Sequence, residues 1–130
     1  MTTKDRKTLA LAYLDAVGKQ NYDKVEQLLR SDVRFKGPAM TRTSAPELIE
    51  ALKRLAAIHV RNDIKRVFVD GDEVCVIYDF VTDTTAGALP AIEWLHFDGE
   101  RIGAIDLYYD RLPWQAVMAA IAERTARPGA

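Results

Sequence analysis

Cysteine is all but missing. Cys75 stands alone, so neither an intrachain disulfide nor a cysteine metal cluster can form. It lies inside the apolar run Val74-Cys75-Val76-Ile77 and reads as a small buried hydrophobe. No charge of either sign is in excess: 18 Lys and Arg against 19 Asp and Glu leave a net charge of -1. That balance carries no electrostatic footprint for a nucleic-acid backbone or an anionic membrane, so neither is expected as a partner. No apolar stretch reaches membrane-span length, and Met1-Thr2-Thr3-Lys4-Asp5-Arg6 lacks the apolar segment of a signal peptide. A cytoplasmic protein is the expectation. Also missing are a glycine-rich phosphate loop and a serine or cysteine nucleophile motif, and no internal repeat or linker is found. The two histidines, His59 and His96, are far apart and belong to no histidine-x-histidine pattern, so no metal site is expected. Asp70-Gly71-Asp72 and Asp98-Gly99-Glu100 lack the spaced ligands of a calcium loop and read as turns. No cofactor is expected either.

What is present is globular material. Hydrophobic residues make up 48% and charged residues 28% of 130 residues, which suits one domain over residues 1–130, burying roughly two-thirds of its unfolded surface around one core. Leu9, Ala12, Tyr13, Ala16 and Val17 recur at helical steps and predict a first helix from about Lys4 to Val17, with Gly18 as its stop. Asn21 caps a short second helix whose apolar face is Val25, Leu28 and Leu29, and Ser31-Asp32 ends it. Val33 and Phe35 then alternate with charged residues as a short strand stopped by Gly37-Pro38. Ser44 and Glu47 form a capping box with Pro46 in the first turn, which starts a third helix. Leu48, Leu52 and Leu55 make its buried stripe, and His59 falls on the same stripe at the expected helix end.

From Arg61 the apolar period changes from 3.6 to 2. Ile64–Val69, Glu73–Thr82, Ala91–Phe97 and Ile102–Tyr109 read as four strands joined by tight polar links, an antiparallel meander. Leu112–Ala126 is mildly helical, with Trp114, Val117, Met118 and Ile121 read as packing positions, and Arg127–Ala130 should fray. One strand parity collects Val74, Val76, Tyr78 and Phe80, then Glu93, Leu95 and Phe97, then Ile105, Leu107 and Tyr109. The other holds Cys75, Ile77, Asp79 and Val81, then Trp94 and His96, then Ala104, Asp106 and Tyr108. The first set is more apolar and is placed inward under the helices. The second, with carboxylates and an imidazole among large rings, suits an outer face that pairs with a second copy, and a homodimer is expected. Under the reverse parity, Asp79, His96, Asp106 and Tyr108 would line the interior as an acid-base set of dehydratase type.

Helix, Gly18, short helix, Ser31-Asp32-Val33, Phe35, Gly37-Pro38, helix and four strands, with Phe97-Asp98-Gly99-Glu100-Arg101-Ile102 ahead of Tyr108-Tyr109-Asp110, resembles the nuclear transport factor 2-like superfamily. Within it the chain is most similar to the SnoaL-like group, from about Thr8 to Pro113. The resemblance implies an α+β, cone-shaped, cystatin-like fold: three helices against a curved antiparallel sheet, with a pocket between them, commonly dimeric. Ketosteroid isomerases of this superfamily stabilise an oxyanion with a tyrosine and a neutral carboxylic acid beside a basic carboxylate. Laid on this sequence, the pattern puts Tyr13 at the tyrosine and Glu93 at the neutral acid, and Gly37 where the basic aspartate would stand. The arginine and two aspartates of the limonene epoxide hydrolases fall on Tyr78, Phe80 and Leu107. The acid-base aspartate of SnoaL-like cyclases has no match, since Asp106 is out of parity and Asp110 ends its strand.

The resemblance thus implies a pocket for a small apolar carbonyl compound, polyketide-like or steroid-like, with isomerase-like or cyclase-like chemistry if the chain is an enzyme. Tyr13 and Glu93 are the candidate catalytic anchors. Phe35, Leu52, His59, Tyr78, Phe80, Leu95, Leu107 and Tyr109 are the expected ligand-binding wall. Glu93 inside an apolar wall would lose solvation and stay neutral to higher pH, and so could donate to a carbonyl or act as a base once ionised. A rim position paired with an arginine is its other reading, and a core residue with its hydroxyl tied off is that of Tyr13. His59 either reaches the pocket mouth or bonds the last helix carbonyls. The vacant base position at Gly37 keeps open a non-catalytic ligand-binding or dimerisation module.

Overall fold

The computed structural model describes residues 5–126. The expected start of the first helix at Lys4 and the expected fraying of Arg127–Ala130 lie outside the described residues.

The chain opens with α1 (Arg6–Gly18), capped by the Asp5 carboxylate, which accepts from the Lys7 N–H at 3.0 Å. The helix runs through Gly18, and the left-handed turn falls two residues later, on Gln20 with φ of 59°. Asn21 caps α2 (Tyr22–Leu28) by accepting from the Lys24 N–H. That helix stops at Leu28. The backbone is already extended at Leu29, so Ser31-Asp32 lie inside β1 (Leu29–Lys36) and do not end the helix. Leu28, the last helical residue, and Leu29, the first of the strand, both enter the core, so the change from helix to strand takes place inside the apolar layer.

The Gly37 N–H donates to the Met40 carbonyl at 2.9 Å, turning the chain into a two-residue strand, β2 (Thr41–Arg42), that the sequence pattern does not announce. In α3 (Ala45–Leu55), Ser44 accepts from the Glu47 N–H as expected. The returning arm of the capping box goes to Thr43, whose N–H donates to Glu47 Oε2 at 3.1 Å. The helix ends four residues earlier than its apolar stripe suggests. His59 is therefore the first residue of β3 (His59–Asp70), not a helix-end residue, and buried Ile58 anchors the turn before it.

The meander continues through β4 (Glu73–Thr82), β5 (Ala88–Asp98) and β6 (Arg101–Tyr109), each pairing antiparallel with the one before. The sheet order is β2-β1-β6-β5-β4-β3, and β1 joins β6 in parallel, a pairing the expected meander does not contain. Register shifts near Ile64–Arg66 and His96–Phe97 bend the strands, as bulges do, and curl the sheet around its inner face. On that face Val74, Val76, Tyr78, Phe80, Glu93 and Leu95 are buried, while Cys75, Ile77 and Asp79 opposite are half-buried. The inward parity is thus the apolar set. A fourth helix, α4 (Trp114–Ala126), buries Val117 and Ile121. It is held by Arg124, which donates to the Ala57 carbonyl at 2.8 Å and pairs with Asp83 at 2.5 Å. No helix among the described residues is long and apolar enough to cross a membrane.

Candidate functional site

Helices and sheet diverge at one end of the fold and leave a cavity of about 50 Å³, or about 530 Å³ when the space at its open mouth is counted. The smaller figure is room for a few water molecules, so the closed end is a slot, not a chamber. Tyr13 reaches it from α1, where it shares the buried face with Leu9, Ala10 and Leu14. Glu93 reaches it from β5, where strict alternation buries Ala91, Glu93 and Leu95 together. Tyr78 and Phe80 come from β4 and Leu107 and Tyr109 from β6, while Phe35 closes the β1 side and Leu52 the α3 side.

Two expected wall residues are elsewhere. Leu95 is fully buried between Val74 and Ile105 in register, in the core and not against the cavity. The reason is depth along β5: Leu95 lies one same-face step beyond Glu93, where the sheet has already closed on the helices. His59 also stays out of the cavity. Its ring stacks on Phe80 at 4.0 Å and 10°, and its Nε2 lies 2.8 Å from Asn62 Oδ1. Asn62 spends its N–H on the Leu14 carbonyl at 3.2 Å, so its oxygen is the acceptor and His59 Nε2 is the protonated nitrogen. Burial lowers the His59 pKa, and the Asn62 bond and the Arg61 backbone partly offset this.

Asn62, Met40 and Trp114 line the cavity without having been expected there. Met40 falls in a connection whose side-chain direction carries no period, and Asn62 lies in the part of β3 ahead of Ile64, where the sequence pattern shows no strand. Trp114 belongs to the wall because Phe80 and Tyr109, from different strands, converge on it with ring centroids at 5.4 and 4.9 Å. Leu14, Val17 and Leu55 add apolar surface, and for Val17 and Leu55 the helical stripes were the signal.

Glu93 is 5% exposed and is the one carboxylate on the cavity wall among the described residues. Burial raises its pKa to about 7, against a smaller opposing effect from the Tyr78 hydroxyl, which hydrogen-bonds the carboxyl. Burial likewise pushes the Tyr78 and Tyr13 phenols well above their ordinary value, and the nearby Glu93 charge adds to it. Near neutral pH the slot thus holds two phenol donors and a carboxyl that is about half protonated. At Gly37 a built Cβ would meet Phe35 at 3.4 Å and Leu107 at 3.7 Å. That position therefore borders the cavity and offers no functional group.

The alternative acid-base set lies on the other face of the sheet. Asp79 pairs with Lys65 at 3.1 Å, and His96 Nε2 stands 3.1 Å from Asp106 with Glu73 at 3.7 Å from its Nδ1. Trp94 covers His96 at 4.4 Å and donates to Glu73 at 2.8 Å, and Tyr108 is 53% exposed. His96, Asp106, Glu73 and Trp94 bond one another on the outer face, and none of Asp79, His96, Asp106 and Tyr108 lines the cavity. Among the described residues no group of three or more metal-ligating side chains is positioned to hold an ion.

Comparison with solved structures finds the same fold in proteins of distant sequence. An NTF2-like protein of unknown function from Cytophaga hutchinsonii ATCC 33406 is 20% identical over 88% of this chain and 99% of its own, with a TM-score of 0.75. A Kribbella flavida DSM 17836 protein whose name proposes a ketosteroid isomerase is 17% identical over 83% of this chain and 79% of its own, at 0.72. A Shewanella denitrificans OS-217 protein whose name proposes a SnoaL-like polyketide cyclase is 18% identical over 91% and 97%, at 0.71. No curated protein matches the chain. The family model described as the SnoaL-like domain matches residues 10–105, from within α1 to within β6, and takes in Tyr13 and Glu93. This chain, with its NTF2-like α+β fold, belongs to the SnoaL-like domain family.

Proposed function

We propose that the cavity binds a small apolar carbonyl compound and activates it by hydrogen bonding, with cyclase-like chemistry on a polyketide-like substrate. What carries the reading is one observation: Glu93, with a pKa of about 7, stands buried in an apolar slot beside the hydroxyls of Tyr13 and Tyr78. Neutral Glu93 and the Tyr13 phenol donate to the carbonyl oxygen and stabilise the charge that develops on it, while the Tyr78 hydroxyl holds the carboxyl. A slot with one carboxylate has no second group to serve as a separate base, which disfavours abstraction of an unactivated proton. A methylene flanked by two carbonyls enolises without a strong base. Its enol carbon attacks the bound carbonyl carbon, a C–C bond forms, and the carbonyl oxygen takes the proton from Glu93. The enol O–H then returns a proton to the Glu93 carboxylate. The name of the Shewanella denitrificans neighbour, which proposes a polyketide cyclase, agrees with this chemistry.

Calorimetry with acetophenone tests the anchors. Affinity should fall as pH rises through about 7, because the ionised carboxylate no longer donates. Glu93→Gln keeps a neutral donor and should preserve binding while flattening the pH profile, whereas Glu93→Ala should cost about 1–3 kcal/mol, the range for a buried polar partner removed. A flat profile in the parent, or equal binding by all three proteins, refutes the anchor role. The functionless Gly37 beside Phe35 and Leu107 favours a second reading, a ligand-binding module without turnover. In that case acetophenone binds with the same pH profile, but no β-dicarbonyl substrate cyclises faster than with Glu93→Ala.

A further inference from the structure

A ring cannot reach Glu93 while the cavity is closed as it stands. The enclosed space is about 50 Å³, whereas benzene fills a cavity of about 150 Å³. One wall has to give way. Most of it is fixed, because Phe35, Tyr78, Phe80, Glu93, Leu107 and Tyr109 stand on strands paired in the sheet. Of the helices in the wall, α3 is joined to strands at both ends, to β2 and to β3. The other two, α1 and α4, have 13 residues each. α1 buries Leu9, Ala10, Tyr13, Leu14 and Ala16, and Asn62 donates to its Leu14 carbonyl at 3.2 Å. α4 buries Val117 and Ile121 and leaves Met118 52% exposed, so far less apolar surface holds it down.

α4 also has the parts of a hinge and a latch. It leaves the sheet through Asp110 and Arg111, both exposed, and the bonds of that link are local: Asp110 accepts from the Leu112 N–H and Arg111 from the Trp114 N–H, each at 3.0 Å. Toward its other end Arg124 reaches the Ala57 carbonyl and Asp83, whose loops are joined by the Asp83 N–H bonded to the Ile58 carbonyl at 3.2 Å. Both members of the Arg124–Asp83 pair are partly exposed, so water replaces the pair at little cost. Trp114 lies between hinge and latch, its ring packed on Phe80 and Tyr109 in the cavity wall. Its indole N–H is withdrawn from solvent and has no acceptor among the described residues. A buried donor without an acceptor is destabilising, and lifting α4 hydrates it, which offsets part of the packing lost. We propose that α4 is a lid on the cavity, hinged at Asp110-Arg111 and latched by Arg124, which lifts to let the ligand in and out. The inference rests on the carbonyl-binding reading for what passes and adds the route by which it enters.

Hydrogen exchange of the Trp114 indole N–H in a 15N-labelled sample reads this motion without any ligand, because exchange needs water at that nitrogen. The backbone N–H of Val76, in mid-sheet between β3 and β5, reads unfolding of the core. Measured against free indole and free amide, the Trp114 N–H should be protected at least about tenfold less than that of Val76. Arg124→Gln, which removes the charge of the latch, should lower the indole's protection by at least about fivefold and leave that of Val76 unchanged. Asp83→Asn, which leaves α4 itself untouched, should act in the same direction. An indole as protected as Val76, or one that neither variant changes, overturns the inference, because α4 then does not lift apart from the rest of the domain. Stopped-flow binding of acetophenone is the second reading. Arg124→Gln should raise its association and dissociation rates together, by at least about threefold, with Kd within about twofold. Rates equal to the parent's overturn the lid as the way in and leave the carbonyl-binding reading standing. If acetophenone does not bind the parent, the carbonyl-binding reading falls, and the exchange result alone decides whether α4 lifts.

Discussion

Replacing Glu93 with Gln should change how stability depends on pH, by an amount that follows from the burial of the carboxyl. In the unfolded chain the carboxyl titrates near its ordinary value of 4.5, and in the folded slot near 7. The folded state therefore holds the proton more tightly. Its contribution to stability is fully present below pH 4.5, is lost as pH rises through about 7, and is constant above that. At ~1.4 kcal/mol for each pH unit between those two values, the total is about 3 kcal/mol. Glutamine is close in shape and does not titrate. Urea melts of the parent and of Glu93→Gln at pH 5, 6, 7 and 8 should show the variant gaining on the parent by most of that amount across the series. Other titrating groups, His59 among them, are common to both proteins and cancel in the difference. Tyr78→Phe should move the midpoint of the parent's loss upward, since the Tyr78 hydrogen bond holds the carboxyl pKa down. A difference between parent and Glu93→Gln that stays constant from pH 5 to pH 8 would refute the reasoning. Glu93 would then be hydrated in the folded state.

Two further outcomes are expected. Leu48→Ala, at a position with 0% exposure on α3, should cost roughly 2–5 kcal/mol in urea melts. Leu52→Ala should cost clearly less, because Leu52 is half-buried and already borders open space. Equal losses would contradict the division between core and cavity wall. The outer sheet face, with Trp94 at 38% and Tyr108 at 53% exposure, should pair with a second copy, and light scattering should report twice the monomer mass. Trp94→Arg should return it to one. A parent protein that is monomeric at the same concentration removes that expectation.

The inner face of the sheet was legible because period 2 runs without interruption through β4 and β5, so the side taken by Val74 and Leu95 also fixes that of Tyr78 and Glu93. Tyr13 was legible for the same kind of reason on the helical stripe of α1. His59 was misread because it follows Leu55 by four residues, and apolar spacing alone does not say that α3 has ended. The end comes from a turn in which Ala56 and Ile58 donate to carbonyls of the last helical turn, and Ala56-Ala57 carry no breaker. The pairing of β1 with β6 was invisible because its partners lie far apart in the chain and neither strand bears a mark of parallel neighbours. Leu95 and Trp114 show the remaining gap: the sequence tells which face a side chain takes, but not how far along the strand the cavity closes.

That parallel β1–β6 pairing bears on when the cavity comes into being as the chain folds. Phe35 and Ile105 are partners about 70 residues apart, whereas the links from β3 to β6 join neighbours in sequence. Contacts of such separation form slowly, because the intervening loop must be closed before they return any free energy. The hairpins of β3, β4 and β5 can assemble as soon as they leave the ribosome, but Phe35 cannot face Leu107 until β6 has been made. The pocket is therefore among the last features completed during synthesis. A ligand that needs both walls has nothing to bind on a nascent or truncated chain, and holds together the first and last strands of the finished one.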